Sequence, residues 1–182
     1  MLAAGAAGAC KTDAMHEPAL RQWTCASALI EGGAGLLLVK NGRRWGGHDW
    51  SPPGGVIDDS DDSLLAGLAR EVDEETGLRV TGWEGPVYEV RAVAADMGWD
   101  MRCTVFRATG YEGEVRVDDP DGIVVDAAFV PWHDCGALLE AGTPWVREPL
   151  VEWLEDRFEE LRRYRYEVRG SSPLSLDVTR TL

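Results

Sequence analysis

Apolar residues recur along this chain with two different periods. Near the front, WTCASALI (23–30) and GLLLVKN (35–41) have strand length and strand patterning. EGGAG between them supplies a glycine turn, which predicts a hairpin. The next stretch, GRRWGGHDWSPPGG (42–55), holds too much glycine and proline for either regular element and reads as a long ordered loop. Over 63–76 the period becomes helical. VYEVRAVAA and MRCTVFRATGY then return to strand patterning around a loop carrying Trp99. VRVDDPDG is a turn-rich connection, and IVVDAAFVPW is a further strand. A last amphipathic helix is predicted over 146–163, where Leu150, Leu154, Phe158 and Leu161 fall four, four and three apart. Pro149 would mark its start. The remainder adds a strand or two, or an arm.

Strands, a helix, more strands and a second helix predict an α/β fold with a mixed sheet covered on both faces. The Ala/Gly-rich residues 1–20 read as a disordered tail, 21–164 as one domain and 165–182 as a C-terminal extension. With 182 residues, 45% of them hydrophobic, the chain can bury a core of one domain.

Charge and cysteine usage narrow the function classes. A net charge of -14 argues against general nucleic-acid binding and against anionic membranes, since phosphate surfaces attract Lys and Arg. Cys10, Cys25, Cys103 and Cys135 form no CxxC pair, and His16, His48 and His133 are scattered, so no zinc pattern is present. Scattered thiols suit a reduced, cytoplasmic chain. The longest early apolar run, GLLLV, is too short to span a membrane. A homodimer is compatible with all of this.

The chemistry concentrates in PPGGVIDDSDDSLLAGLAREVDEETGL (52–78). There Asp58, Asp59, Asp61, Asp62, Glu71, Asp73, Glu74 and Glu75 face a single Arg70. At about 100° per residue, Glu71, Glu74 and Glu75 share one arc of the helix, beside an apolar face of Leu65, Leu68, Ala69, Val72 and Thr76. Acidic helix faces are usually just solvated. Here, however, each like-charged pair costs roughly 0.2–0.5 kcal/mol, no lysine relieves it, and the helix C-terminus disfavours anions. A hard divalent cation held by these carboxylates and by main-chain oxygen of the glycine turn would remove the penalty, and Mg²⁺ is usual with phosphate substrates. Ser63 or Asp62 can cap the helix start and Gly77 its end.

The segment GG…SLLAGLAREVDEETGL resembles the Nudix box, G-x5-E-x7-R-E-U-x-E-E-x-G-U with U apolar. Arg70, Glu71, Val72, Glu74, Glu75, Gly77 and Leu78 match at the required spacing. The resemblance implies a Nudix-like α/β/α sandwich with a mixed sheet, and makes 21–164 a Nudix hydrolase domain. The loop departs from the pattern. Aspartate replaces the isolated glutamate, and one residue is inserted. Asp62 is expected in the glutamate's place because 63–78 then aligns without a gap, with Asp61 the other choice.

The resemblance implies hydrolysis of the phosphoanhydride in a nucleoside diphosphate linked to another moiety, assisted by Mg²⁺ or Mn²⁺. Glu74 and Glu75 would be direct ligands, Glu71 a third ligand or the base, the Gly55 carbonyl a further ligand, and Arg70 the group that orients the carboxylates. In many relatives the base is an acid on a later loop. Asp119, Asp121 and Asp126 qualify, the first two reading more readily as turn formers and Asp126 standing as the catalytic candidate. For the small nucleotide substrate, Arg43 and Arg44 offer charge, and Trp45, Trp50 and Trp99 offer stacking surfaces. A core role for Trp50 and a solvated hairpin end at Arg43 and Arg44 is an equal reading. Two other classes compete: a Nudix-like sensor that binds a nucleotide metabolite without turnover, and an acidic Ca²⁺ module, which lacks a D-x-D-x-D-G loop.

Overall fold

In the computed structural model, residues 19–33, 35–44, 46–172 and 175–181 are described. Most of the expected tail, and Trp45 of the substrate-binding set, lie outside them. The chain order is β1 (Arg21–Leu29), β2 (Glu31–Gly32), β3 (Gly35–Gly42), β4 (His48–Ser51), β5 (Gly54–Val56), α1 (Leu64–Thr76), β6 (Arg79–Ala94), β7 (Trp99–Glu112), β8 (Val124–Val130), α2 (Trp132–Leu139), α3 (Pro144–Asp156), β9 (Arg162–Arg169) and β10 (Asp177–Arg180).

Six strands form a mixed sheet in the order β10-β9-β6-β7-β1-β5, with β1 parallel to β7 and β9 parallel to β6. A second, antiparallel sheet is built on β3, with β2 and β4 along one edge and β8 along the other. The expected β1–β3 hairpin does not form. Both edges of β1 are taken by β7 and β5, and the glycine turn instead folds the two-residue β2 back on β3. The loop expected at 42–55 contains β4 and β5, short strands whose hydrogen bonds go to longer partners. Trp99 opens β7 rather than lying in a loop.

Helices cover the mixed sheet on both faces, as the α/β sandwich requires. Leu68 and Val72 of α1 pack on Ala26, Ala28, Ile30 and Phe106. Leu150 and Trp153 of α3 pack on the opposite face with Leu29, Tyr88, Tyr164 and Tyr166. GLLLV reads as a continuous apolar run because β3 is buried on both faces: Leu36 and Leu38 join the α3-side core and Leu37 the α1-side core.

The last helix differs from its predicted span. It begins with Pro144 in its first turn, contains Pro149 in its interior, and ends at Asp156 with Arg157 in the left-handed region. The apolar spacing to Leu161 runs past this stop, because the chain leaves the helix and enters β9. Tyr164, Tyr166 and Val168 of β9 are buried in strand alternation. Residues 165–180 thus supply most of one strand and all of another to the main sheet. The helix α2 carries no expectation from the pattern, since it is short and follows directly on β8. No helix among the described residues is long and apolar enough to cross a membrane.

Candidate active site

Helix α1 is positioned at both ends by the residues its sequence offers. The Ser63 hydroxyl accepts the Ala66 N–H at 3.1 Å, and Gly77 takes φ 71° and donates its N–H to the Asp73 carbonyl. The apolar face goes to the sheet, and this turns Glu71, Glu74 and Glu75 toward the β5 turn.

That turn requires its glycines. Gly54 has φ 137°, and any side chain there would strike the Ala26 carbonyl of β1. A Cβ on Gly55 would lie 2.6 Å from Glu71 Oε2, so the helix carboxylate rests directly against the turn. The Gly54 N–H donates to Glu75 Oε2 at 2.8 Å. Together these residues line a cleft of about 470 Å³, closed on the far side by Asp119 and Asp121.

Among the described residues lining this cleft Arg70 is the one cation, and its guanidinium is committed. Nε and Nη2 donate to the two Asp61 oxygens at 3.2 and 3.1 Å, and Nη1 contacts Glu71 at 2.9 Å and Glu74 at 3.0 Å. Asp61 therefore occupies the place expected for Asp62. Its carboxylate also lies against Gly67, where a Cβ would meet it at 2.5 Å, and its Oδ2 accepts the Asp58 N–H. The inserted residue falls after Asp61, and Asp62 is exposed and makes no contact with Arg70 among the described residues. Arg70 beside Asp61 holds that carboxyl below its ordinary range.

Glu75 has no such partner. Burial drives its pKa up to about 8, against the pull of the Gly54 N–H, and nearby Glu71, Asp119 and Glu74 push it the same way. Burial also raises Glu71, partly offset by Arg70. Among the described residues, no three His, Cys, Asp or Glu side chains close around a common point, and Glu71 and Glu74 are both engaged by Arg70. The donor set, all oxygen and short of positive charge at Glu75, still fits a hard divalent cation.

Asp126 is an exposed residue of β8, opposite Lys40, and does not line the cleft. Asp119 and Asp121 do. Asp119 accepts the N–H groups of Asp121, Ile123 and Val124, so its oxygens hold the loop, whereas the Asp121 carboxylate makes no hydrogen bond or ion pair among the described residues and lines the cleft.

Arg43 is ion-paired with Asp49, while Arg44 is exposed. Trp50 and Trp99 both pack against the α3-side core. Trp99 meets Trp145 edge-on, centroids 6.1 Å apart at 70°. Trp145 carries no expectation from the sequence pattern. It lines a small apolar hollow of about 90 Å³ with Ser27, Pro52, Met101 and Cys103, next to the Pro-Pro-Gly-Gly turn. The only signal for it was a tryptophan at the start of an amphipathic helix, where core packing is the ordinary reading. A larger hollow of about 670 Å³ lies elsewhere, and its Arg107 and Arg157 are both paired with Glu31.

The chain is thus a mixed-sheet α/β sandwich in which a glycine turn faces three helix carboxylates. The NUDIX domain model matches residues 21–154, and the chain belongs to this family. The intact arginine–carboxylate helix places it with the Nudix-type pyrophosphohydrolases. No curated protein matches the chain. Among solved structures, a mutator MutT protein from Bacillus halodurans superposes with a TM-score of 0.61 at 20% identity, covering 87% of this chain and 97% of that one. A MutT NUDIX hydrolase from Burkholderia pseudomallei gives 0.58 at 23% identity, over 76% and 99%. The NUDIX domain of Shewanella oneidensis NrtR, complexed with ADP ribose, gives 0.60 at 20% identity, over 75% and 88%. These likenesses establish the fold.

Proposed function

We propose that the chain hydrolyses the phosphoanhydride of a nucleoside diphosphate linked to another moiety, in a reaction that depends on Mg²⁺ or Mn²⁺. The observation that carries this reading is Glu75, a carboxylate buried beside Glu71 and the Gly54–Gly55 turn with no cation of its own. Glu71, Glu74, Glu75 and the Gly55 carbonyl would hold the ion, which when bound supplies positive charge against the diphosphate and promotes attack by water.

The chain's own residues set the stage. Asp61 fixes Arg70, and Arg70 fixes the directions of Glu71 and Glu74. The Gly54 N–H fixes Glu75. Asp121 at the cleft wall is the acid best placed to take the proton from water, with Glu71 the other choice. The exposed Arg44 would meet phosphate. A flat base would enter the apolar corner at Pro52 and rest against Trp145, a contact worth roughly 1–3 kcal/mol. Free Cys25, Cys103 and Cys135 suit a reducing cytoplasm.

The test is turnover of ADP-ribose, nucleotide sugars, oxidised deoxynucleoside triphosphates and dinucleoside polyphosphates with Mg²⁺ and with Mn²⁺. Metal-dependent cleavage of at least one class supports the reading. Binding of ADP-ribose without cleavage of any class would mark a sensor instead.

A further inference from the structure

The main sheet has a second charged surface, away from the box helix. The cluster under α1 takes in Ala26, Phe106 and Val80 of this sheet and does not extend to Glu89, Arg91, Arg102 or Thr104. Beyond it, the same sheet face carries arginines. On β9 the side chains alternate, Tyr164, Tyr166 and Val168 buried and Arg163 and Arg165 exposed. Strand register then sets three arginines in one row. Arg91 of β6 is the partner of Arg102 in β7 and of Arg165 in β9. Neighbouring strands lie about 4.8 Å apart, and like charges directly opposite each other are destabilising.

The middle member alone is paired directly, and Arg102 lies within electrostatic reach of the same carboxylate. The buried Asp100 accepts Arg91 Nε at 2.9 Å and Nη2 at 2.8 Å, a two-pronged pair that holds the guanidinium in place. One row along, Arg163 is paired with Glu89 at 2.8 Å. Arg102 and Arg165 are exposed and have no ion pair among the described residues. The four arginines line a hollow of about 330 Å³ together with Thr104 and with Glu89, whose charge is met by Arg163. In a chain of net charge -14, a row of cations with two members unpaired is not the default solvated surface. Nothing in the hydrolytic cleft uses it.

We propose that the Arg102–Arg91–Arg165 row is a second binding site, for a compact anion carrying several phosphate charges. Guanidinium forks match phosphate oxygens in pairs, and the central fork is already oriented by Asp100. Three forks on adjacent strands span about 10 Å, the reach of a di- or triphosphate rather than of one carboxylate. An extended polyanion would leave the hollow and meet the acidic remainder of the surface, which disfavours nucleic acid.

Calorimetric titration of the full chain with inorganic pyrophosphate and tripolyphosphate, in chelator so that no divalent ion serves the box carboxylates, tests this. Saturable, salt-sensitive binding is expected, weakened about tenfold or more by the double change Arg102→Gln/Arg165→Gln and unaltered by Glu75→Gln. The double variant should melt no lower than the parent, because a like-charge row has been relieved. Absence of binding, equal binding by the double variant, or glutarate or an acidic peptide binding as tightly as pyrophosphate would overturn the proposal.

Discussion

Asp61 grips Arg70 with both carboxylate oxygens, at 3.2 and 3.1 Å. The same guanidinium reaches Glu71 and Glu74, so a loop residue sets two carboxylates of the helix through one arginine. Asp61→Asn should therefore lower kcat by about ten- to a hundredfold, the usual cost of losing a supporting contact behind a metal ligand. Asp62→Asn should leave kcat close to the parent value. Steady-state kinetics of the two variants check this, and the reverse order would place the insertion before Asp62.

Glu75 predicts a pH signature in the metal-free protein. Its folded pKa is raised to about 8 from an unfolded value near 4.3. A raised carboxyl favours folding only while protonated, so its contribution is full below the unfolded value and is lost as pH rises toward about 8. Relative to Glu75→Gln, the apo parent should lose stability from about pH 4 to pH 8 and level off above that. Mg²⁺ should raise the parent's melting temperature at pH 8 and leave that of Glu75→Gln nearly unmoved. Melting curves of both proteins with and without Mg²⁺ show whether this holds.

The Asp100–Arg91 pair carries the opposite sign. Arg91, bonded to it, holds Asp100 below its ordinary pKa. That stability is present above the unfolded value near 3.9 and is lost as pH falls through the lower folded value. Asp100→Asn should cost about 1–2 kcal/mol at pH 7, a moderate figure because solvent screens the half-exposed Arg91. Denaturant unfolding should show the difference from the parent shrinking below about pH 4.

Trp145 should matter for the base end of the substrate and not for the bond that breaks. Trp145→Leu is expected to raise KM by about five- to a hundredfold with a much smaller change in kcat. A fall in kcat at constant KM would move the base elsewhere.

The box helix was legible almost residue by residue, because a cap, an apolar stripe and a carboxylate arc are all local features of 63–78. The mixed sheet and two covering helices were legible as a class. Pairing was not. WTCASALI and GLLLVKN look like hairpin arms, yet the edges of β1 are filled by β5 and β7, the latter far away in sequence. The choice between Asp61 and Asp62 was similarly out of reach, since it depends on how the loop folds back onto Gly67. Sequence position alone favours Asp126, but the strand register sets it opposite Lys40, outside the lining of the cleft that Asp119 and Asp121 share. Trp145 was hidden because a tryptophan in an amphipathic helix looks the same whether it faces the core or a hollow.

The most direct measurement is the rate of phosphoanhydride cleavage across the nucleotide panel, for the parent, Glu74→Gln and Glu75→Gln, with Mg²⁺ and with chelator. The parent should cleave at least one substrate only when the divalent ion is present. Each variant should fall about a hundredfold or more while keeping its fold by circular dichroism. Undiminished cleavage in chelator, or full activity in either variant, would contradict the assignment of these carboxylates as the metal-holding centre.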